Sequence, residues 1–300
     1  MKLATIRTGS TTTAARIIDD NRAVKLGAED VGKLLRDGTF DEGEEITFAP
    51  GDLAPVIPRP GKIICVGLNY AKHIAEMGHE QPDVPTLFIK YPEALIGAHD
   101  DAEVPSFNAD TLDFEGELAV IVGTRARHAT NGAEHIAGYS VINDYTQRHF
   151  QKRTQQWHQG KSLEKTAGFG PWLDTEWQPG PAITTTVNGE VMQHAPTDDL
   201  VFTPAKLVEF ISHLYPLEPG DVIATGTPAG VGMGLQPPRY LRAEIVHACT
   251  HEGALHLEDV FDTRTRLWEF AIGTLLAMIT LKWKAPEKAR VVMGWVGIIG

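Results

Sequence analysis

Asp113-Phe114-Glu115-Gly116-Glu117-Leu118-Ala119-Val120-Ile121-Val122 decides how this chain is read. Its second half is apolar at every position, the pattern of a strand covered on both faces. Its first half sets two carboxylates two residues apart. In a strand, side chains at i and i+2 point to the same face, so Glu115 and Glu117 project together. Two carboxylates held that close repel unless a proton or a cation lies between them. An isolated Glu-x-Glu is more often a solvated strand end, because buried glutamate is rare without a partner. A third ligand reverses that weighting. Asp144, in Val141-Ile142-Asn143-Asp144-Tyr145, is the candidate, since it ends another apolar run within one hairpin's length of the glutamates. Three carboxylates plus waters suit Mg²⁺ or Mn²⁺, hard cations that take oxygen ligands, better than zinc.

Three further clusters surround this one in sequence. In Val66-Gly67-Leu68-Asn69-Tyr70-Ala71-Lys72-His73-Ile74-Ala75-Glu76, a helix would make His73 and Glu76 i, i+3 neighbours, so that a carboxylate orients an imidazole and raises its basicity. Arg148 and Gln151 follow Asp144 by four and seven residues and would line one wall of the same site, with Trp157 and Gly160-Lys161-Ser162 beyond. Ala224-Thr225-Gly226-Thr227-Pro228-Ala229-Gly230-Val231-Gly232 is a Gly-rich loop whose amides would form a cradle for a carboxylate. No Gly-Lys-Ser/Thr closes it, so it is not a phosphate-binding P-loop.

The remaining sequence bounds the partners. A net charge of -12 over 300 residues argues against a nucleic-acid or anionic-membrane surface, and positive charge for an acidic substrate must therefore be concentrated locally. Cys65 and Cys249 form no CxxC pair, which fits a reducing cytosol. Met1 to Arg7 reads as no signal peptide, and the apolar run Phe270 to Leu281 is shorter than a membrane span. Residues 1–57 read as a small α/β domain with strands at Lys2 to Ile6 and Ala15 to Ile18 and a helix at Ala28 to Leu35. The breaker-rich stretch Ala49 to Gly61 marks a linker or boundary. Residues 58–241 read as many short strands with helices at Pro204 to Leu214 and near Glu134 to Gly138, a mainly β domain. From Ala243 the pattern turns helical, giving an atypical tail over residues 242–300.

The four clusters, in this order, resemble the fumarylacetoacetate hydrolase family over roughly Pro58 to Leu241. The resemblance implies a mixed β-roll, a homodimer, and a small N-terminal domain. It implies Glu115, Glu117 and Asp144 as metal ligands, and His73 and Glu76 as a catalytic dyad on a lid. Gln151 would position water and Lys161 would neutralise enolate charge, while Arg148, Gly226 and Thr227 match substrate contacts. Two departures stand out. Where the family has Arg-Asp-x-x-Gln, this chain has Arg148-His149-Phe150-Gln151. From Ala243 through Val260, and at Arg264-Thr265-Arg266, it resembles instead a C-terminal fragment of flavin-dependent glycerol-3-phosphate dehydrogenases.

The function implied is metal-dependent C–C hydrolysis of a small acylpyruvate-like 2-oxo acid. Decarboxylation or isomerisation of 2-oxo or 2-hydroxydienoic diacids uses the same electron sink and is the alternative. A non-catalytic metal-binding protein of the same fold is the reading from a different class.

Overall fold

The computed structural model describes residues 1–103, 110–242 and 247–251. The chain opens with strands β1 (Lys2–Thr8), β2 (Thr11–Ile17) and β3 (Arg22–Lys25), helix α1 (Val31–Asp37) and strand β4 (Glu45–Thr47). Then come β5 (Ile63–Gly67), helix α2 (Ala71–Glu76), β6 (Thr86–Ile89), β7 (Leu95–Ile96), β8 (Leu112–Asp113) and β9 (Gly116–Val122). After β10 (Ile136–Asn143) and β11 (Thr146–Gln147), two short helices α3 (Arg148–Gln151) and α4 (His158–Lys161) lead to β12 (Ala167–Asp174). The chain continues through β13 (Ala182–Val187), β14 (Glu190–Pro196), helix α5 (Pro204–Leu214), β15 (Val222–Ala224) and β16 (His247–His251).

One mixed sheet runs β4-β3-β2-β1-β12-β10-β9-β15-β5-β6, with β7 alongside β12. β15 is parallel to β5 and β7 to β12, whereas β9, β10 and β12 are successive antiparallel neighbours. This is the mainly β, mixed-sheet architecture expected. Its organising strand is β9. Ala119 and Ile121 pack on one face with Ile142, Phe169 and Leu173, and Leu118, Val120 and Val122 pack on the other with Leu207, Val208 and Ile211 of α5. Both faces are dry, which is why the sequence reads apolar at every position there. Each fully buried Val, Leu or Ile contributes about 1.5–3 kcal/mol relative to exposure. Helix α5 starts where Thr203 caps the Lys206 N–H and Pro204 supplies a preset first turn.

The first 57 residues share this sheet and core. β1 pairs with β12, Leu3 opposite Leu173, and the breaker-rich stretch is no exposed tether, since Leu53, Ala54, Val56 and Ile57 are buried. Thr5 fixes it, donating to the Val56 carbonyl at 2.7 Å and accepting from the Val31 amide at 3.1 Å.

Two expected helices are not formed as read. Near Glu134 only a single 3₁₀ turn exists, Gly132–His135, and strand β10 begins at Ile136. Pairing with β9 outweighs the local helical pattern. Gly138 makes that possible, because a Cβ there would lie 2.2 Å from the Asp174 carbonyl oxygen. In the tail, His247–His251 is a strand antiparallel to β13, not a helix. The rest of the tail, including Phe270 to Leu281, lies outside the described residues. β16 covers the edge of β13, whose Ile183, Thr185 and Val187 are buried. Truncation after Arg242 is therefore expected to leave an unpaired edge, lower the melting temperature and shift the protein to larger assemblies by light scattering. An unchanged melting temperature and size would show that the β13 edge needs no cover.

Candidate active site

The β9–β10 hairpin brings the three acids together. Gly116 pairs with Asn143, so Glu115 and Asp144 face each other just beyond the last rung, where the Asp144 amide donates to the Glu115 carbonyl at 2.8 Å. The Glu115 amide in turn donates to Asn143 Oδ1 at 3.0 Å. One carboxylate oxygen of each of Glu115, Glu117 and Asp144 lies within 4.8 Å of the others, and all three residues are buried. Among the described residues this is the only such group of three.

Fixed cations surround the triad. Lys161 Nζ lies 2.5 Å from Glu115 Oε2 and 2.8 Å from Asp144 Oδ2. Arg148 Nη2 lies 2.7 Å from Glu115 Oε1, and its Nε donates to Asp113 Oδ2 at 2.8 Å. Lys161 reaches the site because α4 packs closely on α3 at Gly160, where a Cβ would lie 2.5 Å from the Gln151 nitrogen. Burial disfavours the charge on Glu115, but Lys161 and then Arg148 outweigh it and hold its carboxyl down at about 2. Glu117 has the opposite fate. Burial, Asp144 and Glu115 together push its carboxyl well above the usual carboxylate range.

His73, on α2, points its Nδ1 at Glu76 Oε2, 2.9 Å away. Glu76 is anchored from its other oxygen by the Gly230 amide at 2.9 Å. A cavity of about 250 Å³ lies over the triad, lined by His73, Glu115, Glu117, Arg148, Gln151, Lys161 and Thr227, with Phe88, Met77 and Trp157 among its apolar wall. Glu76, Asp144 and Gly226 stand behind this lining.

The Gly-rich loop is a carboxylate cradle, but its carboxylates are the protein's own. The Gly226 amide donates to Glu117 Oε2 at 2.8 Å, that of Gly230 to Glu76, and those of Gly232 and Met233 to Asp113 at 2.7 and 2.9 Å. Thr227 donates its hydroxyl to the Gly116 carbonyl at 3.0 Å and accepts from Gln193 at 2.7 Å. The loop thus positions the acids of the site, and Gly226 has no amide left for a substrate.

Several participants escape sequence reading. Lys90, fully buried, sits 3.0 Å from Asp144 Oδ1 and also donates to the Lys161 carbonyl. Gln193 bridges the Gly116 amide at 3.0 Å to Thr227 and to the Pro228 carbonyl at 2.8 Å. Asn69 ties the Gly-rich loop to the segment leading into α5 by donating to the Thr225 carbonyl at 2.7 Å and accepting from Phe202 N–H at 2.7 Å. Lys90 carries one faint signal, a lysine between Phe88-Ile89 and Tyr91; Asn69 lies inside the Gly67-Leu68-Asn69-Tyr70 run, which gave it no role, and for Gln193 the flanking sequence carries none.

The profile of the fumarylacetoacetate (FAA) hydrolase C-terminal family matches residues 62–259. The chain belongs to the fumarylacetoacetate hydrolase family. The match runs through residue 259, past the boundary read at Leu241, so residues 243–259 fall within this family's profile and the dehydrogenase resemblance read there gains no support. An uncharacterized protein of Archaeoglobus fulgidus is 41% identical over 221 residues, 73% of this chain and 86% of that one. An oxaloacetate tautomerase of Bacillus subtilis is 40% identical over 62% of this chain and 65% of its own length, so this chain spans just under two thirds of it. Among solved structures, a fumarylacetoacetate hydrolase from Exiguobacterium antarcticum matches with a TM-score of 0.74 and 33% identity, over 84% of this chain and 96% of that one. A 2-hydroxyhepta-2,4-diene-1,7-dioate isomerase from Mycobacterium marinum matches with a TM-score of 0.69 and 30% identity, over 84% and 94%.

The donor set fits a divalent cation on its own chemistry. It is all oxygen, and Asp144 Oδ1 is buried without a hydrogen bond, its contact with Lys90 being one of charge alone. Glu117, whose carboxyl burial, Asp144 and Glu115 push up, is the group whose ionised form a cation would favour most. A carboxyl whose folded-state pKa is raised contributes stability in full below its unfolded pKa and loses it as pH rises through the folded value. The EDTA-treated protein is therefore expected to lose melting temperature progressively as pH rises above the ordinary carboxylate range, and Mg²⁺ is expected to restore it most at the alkaline end, with proton release on binding. A melting temperature flat with pH in EDTA would contradict this. Among the described residues no helix is long and apolar enough to cross a membrane.

Proposed function

We propose that this chain catalyses keto–enol proton transfer at C3 of small 2-oxo acids in a site holding Mg²⁺ or Mn²⁺. The observation that carries this reading is the relay from Gly230 through Glu76 to His73 at the mouth of the acidic triad. With the imidazole proton assigned to Nδ1, facing Glu76, Nε2 is left as an acceptor. Nε2 takes a proton from C3, the C3–H electron pair forms the C2–C3 double bond, and the C2–O π pair moves to oxygen. That oxygen then recovers a proton, so keto and enol interconvert with no net gain or loss of atoms. A divalent ion at Glu115, Glu117 and Asp144 supplies, when bound, Lewis-acid stabilisation of the charge on the C2 oxygen. Lys161 and Arg148 keep Glu115 ionised for that ion. Gln151 Oε1 accepts from Arg148 at 3.1 Å, which turns its amide donor toward other partners in the cavity. The names of the tautomerase and isomerase relatives support this class of reaction.

C–C hydrolysis of an acylpyruvate is the second reading, favoured by the likeness to the Exiguobacterium hydrolase. There the same base would activate water for attack on a distal carbonyl. Oxaloacetate and acetopyruvate, each with Mg²⁺ and with EDTA, separate the two. Proton transfer predicts EDTA-sensitive enol relaxation and C3 deuterium exchange of oxaloacetate without release of acetate from acetopyruvate. Acetate release would instead favour hydrolysis, and exchange no faster than buffer would remove the first reading. A homodimer is part of the proposal and is checked by light scattering.

A further inference from the structure

The cavity over the triad has two ends that differ in charge balance. At the inner end Arg148 and Lys161 are each neutralised by buried carboxylates. Lys152 follows Arg148 by one helical turn, its amide donating to the Arg148 carbonyl at 3.1 Å, so it stands about 5 Å further along the same face. It lines the cavity, is exposed, and its ammonium has no ion pair or hydrogen bond among the described residues. His79 lines the same cavity from just past the end of α2, where its amide is held by the Ile74 carbonyl at 3.0 Å, and its imidazole has no hydrogen bond or ion pair among the described residues. The acids in the lining are Glu115 and Glu117, both at the inner end. In a chain of net charge -12, an unbalanced cation at a cavity rim is a place for an anion brought by the substrate.

We infer that Lys152, with His79 as a second donor, reads a second carboxylate at the outer end of the cavity, so that 2-oxo diacids are preferred over 2-oxo monoacids. The inference rests on the reading of the triad as the seat of the 2-oxo acid head. Phe88 and Trp157, edge to face at 5.5 Å, offer the carbon chain between the two ends an apolar wall. The flexible lysine stem accommodates diacids of more than one length.

Calorimetric binding to the full chain in Mg²⁺ tests this with a matched pair, 2-oxoglutarate and 2-oxopentanoate, which differ only in the distal carboxylate. The parent protein is expected to bind the diacid roughly 10-fold tighter, the low end for a charge-assisted contact at an exposed site. Lys152→Met is expected to bring the two affinities within about 2-fold, and Lys152→Arg to keep most of the preference. Binding of both acids without preference in the parent, or a preference that survives Lys152→Met, overturns the assignment of Lys152 alone. If the parent binds Mg²⁺ but neither acid, the reading of the cavity as a 2-oxo acid site fails and the assignment fails with it.

Discussion

Glu117→Gln is expected to abolish the response to Mg²⁺ while leaving the metal-free protein at least as stable as its parent. Without a cation, Glu117 is held neutral by burial, Asp144 and Glu115, so an isosteric amide replaces a protonated acid at little cost. Its amide oxygen still accepts from Gly226, as Glu117 Oε2 does. Glu115→Gln has a different expected outcome, because it removes the anion shared by Arg148 and Lys161 and leaves buried cations less compensated. Breaking such a pair from one side costs about 3–5 kcal/mol. Turnover in both variants is expected to fall by more than the ~10–100-fold typical of residues that only support a metal ligand. Urea unfolding in EDTA, calorimetric Mg²⁺ titration and turnover check all three quantities. Equal destabilisation by both substitutions would show that the triad is not charged as described.

His73→Ala is expected to lower kcat for enol–keto exchange by about 10²- to 10⁴-fold, the usual cost of a lost general base. Mg²⁺ affinity is expected to stay within about 2-fold, because His73 hydrogen-bonds Glu76 and acts on the triad only through a charge effect on Glu115 smaller than those of Lys161 and Arg148. Glu76→Gln should lie between His73→Ala and the parent, since the glutamine still accepts from Gly230 but no longer stabilises the imidazolium. Steady-state kinetics with deuterium exchange at C3 distinguish these outcomes. A full rate in His73→Ala would move the base role elsewhere in the cavity.

The resemblance and the local pattern made much of the site legible because its residues fall in short motifs with regular spacing. Glu115, just before β9, and Glu117, within it, sit two apart in extended chain, and His73 and Glu76 three apart on a helix, so periodicity alone predicts that each pair shares a face. Lys90 was hidden for the converse reason. A buried lysine is tolerated only beside an anion, and its anion, Asp144, lies far along the chain, just past the end of β10. The Gly-rich loop was legible as a cradle for carboxylates, but which carboxylates it holds depends on where β8, β9 and α2 come to rest around it.

By itself, then, the sequence determined that β9 is buried on both faces, that the acids of its N-terminal end point one way, and that an imidazole–carboxylate pair rides on a helical turn. These follow from the periods of strand and helix, which act over a few residues. Only the tertiary structure decided that residues 1–57 share the sheet that carries the acids, that His247–His251 closes the β13 edge as a strand, and that the Glu115 carboxyl is held down while that of Glu117 is pushed up. Strand pairing and the charge state of a buried acid are set by groups distant in the chain, and their distances exist only once the chain has folded.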